Sequence, residues 1–184
     1  HKHHLPFSLY WRVSNKEIAK TLPYYIKPIY DGTVKDYIFT RLAHFYIHNS
    51  RVVIAENRKV GQYNIQTWHA IFGFKHAERA AEDELPTFYV NNAKLHSHRT
   101  DLFIAASNWH EFDYRENFWY DGEIMESGYP RDDIYFSRDK TLKQRIKNQL
   151  GISNDTKLLI YAPTFRDSGD VSIYHIPTEQ IVNL

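Results

Sequence analysis

Four side chains able to take a proton or to meet an anion stand just beyond apolar runs of the sequence: His69, Lys75, Arg131 and Arg166. In "QTWHAIFGFK" His69 directly follows Trp68, and a neutral imidazole there can accept a proton from an alcohol. Gly73 permits a bend between His69 and Lys75, whose ammonium can serve a phosphate as a point charge. In "GYPRDD" Gly128 and Pro130 shape a turn, Arg131 is a possible bidentate donor to phosphate, and Asp132 and Asp133 either orient it or cap the next helix. In "APTFRD" an apolar run ends at Pro163 and Thr164, and Arg166 stands beside Asp167. That pair reads as a phosphate contact with its support, or as a plain salt bridge. A histidine satisfied within the structure and an ordinary surface lysine are the plain alternatives for His69 and Lys75. No single cluster names a reaction.

The elements that must position these residues follow from apolar spacing. Tyr37, Ile38, Leu42, Phe45 and Tyr46 recur at helical intervals, which predicts a helix, followed by a buried strand over 52–55. "NIQTWHA" predicts a strand with His69 at its carboxyl end. A helix is expected after Pro86, a buried strand over 102–106, and then a helix with Ser107 as N-cap and Glu111 in its first turn. A short strand is centred on Ile124 and Met125. Leu142, Ile146 and Leu150 mark a helix whose C′ position falls on Gly151. The run 158–161 predicts one more strand, broken at Pro163.

Short apolar strands alternating with helices predict an α/β fold, a Rossmann-like parallel sheet with helices on both faces. Ligands bind such sheets at the carboxyl ends of the strands, where His69, "GYPRDD" and "APTFRD" all fall. The expected division is one domain over 1–151, with 152–184 beginning a second.

Composition narrows the function. The chain has 184 residues, 42% of them apolar and 24% charged, which fits a folded domain. Aromatic residues reach 16% and are read mainly as core. A net charge of +1 with interspersed signs gives no electrostatic footprint for nucleic acid. There is no cysteine, hence no disulfide, thiolate metal site or thiol catalysis. No run approaches the roughly 20 apolar residues of a membrane span, and the start "HKHHLPFSLYW" is too short in apolar residues for a signal peptide. GxGxxG, Walker, HExxH and GxSxG motifs are all missing from the sequence, which removes the usual support for dinucleotide, ATP, zinc-protease and α/β-hydrolase readings. The histidines show no metal-ligand spacing, and His96 and His98 would face different sides of a helix.

Taken in order, "QTWHAIFGFK", "FIAASNWHEFDYRENF", "ESGYPRDDIYF" and "KLLIYAPTFRD" resemble the CDP-glycerol:poly(glycerophosphate) glycerophosphotransferases, the teichoic acid primases and polymerases. The likeness runs from about Val34 to Asp167. It implies the N-terminal lobe of a fold similar to the GT-B glycosyltransferases and the start of the second lobe, with the nucleotide-binding remainder outside these residues. It also implies transfer of a polyol phosphate, glycerol phosphate foremost, from a CDP-polyol to a lipid-linked or polyol-phosphate acceptor hydroxyl, with release of CMP and without a cofactor. His69 matches the family's N-terminal-lobe histidine, a candidate general base. Lys75, Arg131 and Arg166 are the available cations, and Trp68, Gly73, Asp132, Thr164 and Asp167 the supports. The family works peripherally at the cytoplasmic face of the cell membrane. Many members read "WHGTPLK" where this chain reads "WHAIFGFK". A nucleotide-sugar glycosyltransferase and a non-catalytic binder of anionic polymer are the other readings.

Overall fold

A computed structural model of the chain describes residues 6–51, 59–70, 77–137, 139 and 141–162. The chain divides into two compact units, His1–Phe136 and Ser137–Leu184.

The first unit opens with strand β1 (Leu9–Val13), helix α1 (Lys16–Thr21) and strand β2 (Ile26–Tyr30). The two strands pair in parallel, with Leu9 opposite Ile26 and Val13 opposite Tyr30. Asn15 starts α1 by accepting the Ile18 N–H at 2.9 Å, a side-chain cap of the usual kind. Thr33 does the same for helix α2 (Val34–Leu42), accepting from the Asp36 N–H at 3.1 Å. Asp36 in turn receives Arg12 of β1 through two hydrogen bonds, Nε to Oδ1 at 2.7 Å and Nη2 to Oδ2 at 2.9 Å. Burial opposes charging of Asp36, yet Arg12 and the Gly32 N–H hold its carboxyl below the usual range.

A four-stranded sheet follows, built from β3 (Phe45–His48), β4 (Tyr63–Gln66), β5 (Leu102–Ala105) and β6 (Glu123–Glu126). The strands lie side by side in chain order and all pairs are parallel, the pairing expected of a parallel α/β sheet. Between β4 and β5 come a 3-10 helix (Glu78–Glu84) and helix α3 (Thr87–His98); between β5 and β6 comes helix α4 (Asn108–Asn117). After β6 a second 3-10 helix covers Pro130–Phe136.

Two element boundaries differ from the sequence expectation: the strand read as ending on His69 stops at Gln66, where its pairing with β3 ends, and the helix before β3 stops early. The helical row read through Phe45 and Tyr46 ends at Leu42, because Ala43 turns extended and Phe45 opens β3. Four residues rich in aromatic and β-branched character suit a pleated edge, and pairing with β4 from Phe45–Tyr63 to His48–Gln66 satisfies their backbone. The strand expected over 52–55 lies outside the described residues.

The strand β5 is buried on both faces, Leu102 and Ile104 on one side, Phe103 and Ala105 on the other. Its sequence LFIA therefore reads as continuous apolar character instead of alternation. Phe103, Ala105, Tyr114, Phe118 and Tyr120 form the core cluster, with Trp68 and Ile124 packed against it. Tyr114 and Tyr120 pack against Phe103 with tilted rings, at centroid distances of 4.7 and 4.6 Å. Aromatic residues are not confined to this core, however: Tyr24, Phe88, Tyr135 and Phe136 are well exposed. No helix among the described residues is long and apolar enough to cross a membrane.

In the second unit, helix α5 (Leu142–Gln149) ends as its sequence predicts. Gly151 takes φ +67°, its N–H bonds the Asn148 carbonyl, and the Ile152 N–H reaches back to Lys147, the paired bonds of a Schellman ending. The strand expected over 158–161 is not formed among the described residues; Leu158, Leu159, Ile160 and Tyr161 are exposed and pair with no other described strand. A strand is stable only where a neighbour completes its ladder.

Candidate active site

His69 stands three residues beyond the end of β4 and is exposed at the carboxyl edge of the sheet. Its Nδ1 lies 2.7 Å from the Asn49 carbonyl oxygen, just past the end of β3. A carbonyl oxygen only accepts, so Nδ1 carries the proton of this bond. In the neutral ring Nε2 is then the atom with a free lone pair, the arrangement a general base needs.

The backbone before the histidine is strained. Trp68 has φ +54°, a left-handed conformation that is unusual for a bulky residue. Three contacts hold it there. Its N–H donates to Gln66 Oε1 at 2.8 Å. Its ring meets Phe118 edge-on at 4.8 Å and lies against the His69 ring at 4.4 Å.

The backbone after it is held from the turn that follows β6. Arg131 Nη1 donates to the His69 carbonyl at 2.6 Å, and the Tyr129 hydroxyl donates to the Ala70 carbonyl at 3.3 Å. Tyr129 is joined to Tyr114 of α4 by a hydroxyl–hydroxyl bond of 2.9 Å. Because Tyr129 gives its proton to Ala70, Tyr114 donates to Tyr129. Burial pushes both phenols up, so both remain protonated donors. The guanidinium of Arg131 also covers the Tyr129 ring at 4.9 Å, and its Nε is 3.8 Å from Asp132 Oδ1. The "GYPRDD" segment is thus brought to His69, with one N–H of Arg131 committed to the backbone and the side chain still partly exposed.

A buried ion pair sits behind this edge. Arg51 donates to Glu78 from Nη2 at 2.8 Å and from Nε at 3.2 Å, and its Nη1 reaches Ser97 Oγ at 2.8 Å. The Arg51 guanidinium lies 5.6 Å from the Trp68 ring and 5.4 Å from that of Phe118. Glu78 itself has φ +55° and accepts from the Tyr89 hydroxyl. Burial first, and then this carboxylate, push the Tyr89 phenol up to about 12. His96 is buried beside this group and is pushed down to about 4, by desolvation and by the positive charge of Arg51. His98 on the same helix is exposed, so the two face different sides as the sequence predicts.

Trp68, His69, Arg131 and Asp132 therefore share one neighbourhood. Gly73, Lys75, Thr164, Arg166 and Asp167 lie outside the described residues. Sequence reasoning missed Asn49, Gln66, Arg51, Glu78 and Tyr129. Asn49 acts through a backbone carbonyl, which no side-chain pattern reveals; Gln66 gave a weak signal, a polar residue inside an apolar strand; Arg51 and Glu78 are separated by 27 residues. Among the described residues, no group of three or more His, Cys, Asp or Glu could hold a metal ion.

A parallel α/β lobe with a histidine and an arginine at the carboxyl ends of its strands is a lobe of the GT-B-like kind. The sequence pattern of the family described as CDP-Glycerol:Poly(glycerophosphate) glycerophosphotransferase matches residues 2–182, and the chain belongs to that family. It is 32% identical over 137 residues to a teichoic acid poly(glycerol phosphate) polymerase of Staphylococcus epidermidis, covering 71% of this chain and 19% of the relative. The polymerase of the same description from Bacillus subtilis is 26% identical over 175 residues, 90% of this chain and 23% of its own. A teichoic acid poly(ribitol-phosphate) polymerase of Bacillus spizizenii is 31% identical over 118 residues, 62% of this chain and 19% of its own. The solved wall teichoic acid polymerase TagF, in a histidine-to-asparagine variant, superposes with a TM-score of 0.77 at 27% identity, covering 94% of this chain and 43% of that one. The chain thus spans about a fifth of the length of these curated relatives.

Proposed function

We propose that this chain is the acceptor-side lobe of an enzyme that transfers a polyol phosphate, glycerol phosphate foremost, from a CDP-polyol to an acceptor hydroxyl in the synthesis of a teichoic-acid-like wall polymer. The hydrogen bond from His69 Nδ1 to the Asn49 carbonyl carries this reading, since it leaves Nε2 free to take a proton. In the reaction, Nε2 removes the proton of the acceptor hydroxyl as its oxygen bonds the β-phosphorus of the donor. The bond from that phosphorus to the oxygen bridging to the α-phosphorus breaks, CMP leaves, and a phosphodiester remains. Phosphoryl transfer depends chiefly on alignment and on neutralising charge over the phosphate oxygens. Arg131 supplies a cation near His69, and Lys75 and Arg166 are proposed to supply two more. Trp68 and Asp132 support this pair, and Gly73, Thr164 and Asp167 are assigned supporting places from their motifs.

In this proposal residues 1–151 make the acceptor-side domain and residues 152–184 begin the nucleotide-binding one. The acceptor is lipid-linked or already carries polyol phosphate, and the protein works peripherally at the cytoplasmic face of the cell membrane. A solved TagF structure carries a CDPG soak, which supports a CDP-polyol as donor. The test is CMP release from CDP-glycerol and from CDP-ribitol by the full-length protein, with His69→Ala in parallel. The expected loss is roughly 10² to 10⁴-fold in rate, with folding retained because the side chain is exposed. Equal release by His69→Ala would remove the histidine from the mechanism, and turnover of sugar nucleotides alone would move the chain to the glycosyltransferases.

A further inference from the structure

The hydrogen bond that orients His69 joins two loops, the one after β3 and the one after β4, and one buried side chain braces both. Gln66 is the last residue of β4 and is 1% exposed. Its Oε1 accepts the N–H of Trp68 at 2.8 Å, the residue immediately before His69. Its Nε2 lies 3.1 Å from the carbonyl of Ser50, the residue immediately after Asn49, and 3.0 Å from His48 Nδ1. The Trp68 N–H can only donate, so it fixes which end of the amide is oxygen, and Nε2 then donates to the Ser50 carbonyl. His48 Nδ1 lies 3.0 Å from both Nε2 and that carbonyl, and its tautomer sets whether it accepts from Nε2 or shares the carbonyl as a second donor.

We propose that Gln66 is a positioning residue for His69: its carboxamide ties the residue before the histidine to the residue after the carbonyl that sets the histidine's tautomer. This rests on the reading of His69 as the general base. The chemistry of the brace is specific. One end must accept and the other must donate, so a carboxylate of the same shape keeps the Trp68 bond and loses the Ser50 bond, and a thioether loses both. Without the brace, two supports fail together. The left-handed turn at Trp68 loses its local acceptor, and the Asn49–Ser50 carbonyls are free to shift from the position at which Nδ1 meets them. The parallel ladder alone does not replace it, because its last bond, from the Thr67 N–H to the His48 carbonyl at 2.9 Å, comes one residue before Trp68 and Asn49.

The test reads the tautomer directly and does not depend on turnover. Nitrogen NMR on the histidine-labelled protein is expected to show His69 with a protonated Nδ1 and a bare Nε2, and a wild-type His69 protonated on Nε2 alone would overturn the inference. In Gln66→Glu and Gln66→Met the His69 signals are expected to move to a mixture of both tautomers while those of His110, in helix α4, stay in place. A folded variant in which His69 keeps the wild-type signature would refute the brace. Should neither variant fold, the Gln66 side-chain amide protons of the wild type decide: slow solvent exchange is expected, and exchange as fast as in an exposed glutamine sinks the proposal. In the CMP-release assay the folded variants are expected to lose roughly 10²-fold in kcat with little change in KM, the size of effect set by misplacing a reacting group by about 1 Å. A wild type that releases no CMP from any CDP-polyol removes the transferase reading and leaves the tautomer result standing.

Discussion

Arg131 and His69, 62 positions apart, are joined by a hydrogen bond of 2.6 Å from the guanidinium to the histidine's own carbonyl. The arginine therefore acts on the backbone that carries His69, whatever else it binds. Its neighbour Tyr129 takes the next carbonyl, that of Ala70. The turn after β6 thus grips two successive peptide groups at the candidate active site, while the Asn49 carbonyl grips the ring.

This arrangement separates two roles for Arg131 in a kinetic measurement. A cation that only meets the donor phosphate affects KM and kcat alike, whereas a group that fixes His69 affects mainly kcat. Arg131→Ala is expected to lower kcat by roughly 10²-fold and to change thermal stability little, because the side chain is partly exposed. Arg131→Lys, which keeps the charge and loses the planar fork, is expected to recover less than half of the lost activation free energy. Full recovery by lysine would assign the residue to charge alone.

Arg51 and Glu78 predict a stability effect instead of a rate effect. Both side chains are almost fully withdrawn from solvent, so removing one partner leaves the other charge buried and unpaired. Arg51→Ala is expected to cost about 3–5 kcal/mol, read from the urea midpoint at constant slope. The double change Arg51→Met with Glu78→Met is expected to recover much of that loss, since no lone charge remains. A loss below about 1 kcal/mol in the single variant would mean that the pair is solvated in solution.

The sequence made the sheet legible where a strand's burial is uniform. LFIA of β5 is apolar at every position because both faces are covered, and Gly151 was readable because a left-handed residue after a helix strongly favours glycine. It misled where one spacing served two structures: Phe45 and Tyr46 continue the helical row of α2 and also begin a strand, and pairing with β4 decided between them. The run over 158–161 has strand character but no neighbour among the described residues, and propensity does not supply a ladder. At the site, His69 and Arg131 were visible as chemistry-bearing types in turns after strands. The polar groups that hold them were not, since Asn49 contributes a main-chain atom and Gln66, Arg51 and Glu78 acquire meaning only from tertiary contacts.

The buried histidines set a pH dependence. His96 is held down to about 4, first by desolvation and then by the positive charge of Arg51, with His48 and Arg99 adding to it. In the unfolded chain a histidine titrates at about 6.5. Between these values the unfolded chain binds a proton that the native state refuses, so stability is complete above about pH 6.5 and falls as the pH drops towards 4. His96 alone accounts for up to about 3 kcal/mol, and His48 and His110, both pushed down by burial, act in the same direction. Urea unfolding at pH 7.5 and 5.0 is the measurement. His96→Gln is expected to flatten the difference between the two, and an unchanged difference would show that His96 is hydrated in the native state.

The two phenols behind Ala70 give a prediction in which one lesion is worse for stability than two. Tyr129→Phe deletes the donor to the Ala70 carbonyl and also strands the Tyr114 hydroxyl, whose residue is 1% exposed and whose recorded partner is Tyr129. An unsatisfied buried hydroxyl costs about 1–3 kcal/mol, so Tyr129→Phe is expected to be destabilised by that amount. Adding Tyr114→Phe removes the stranded hydroxyl while keeping both rings, including the Tyr114 ring packed against Phe103, and is expected to restore part of the stability. Activity should not follow. Ala70 lacks its donor in the single and the double variant alike, so both are expected to show the same fall in kcat, roughly 10-fold for a slightly misplaced base. If activity instead returned together with stability in the double variant, the Tyr129–Ala70 bond would be a packing feature, and the grip on the histidine would belong to Arg131 and Asn49.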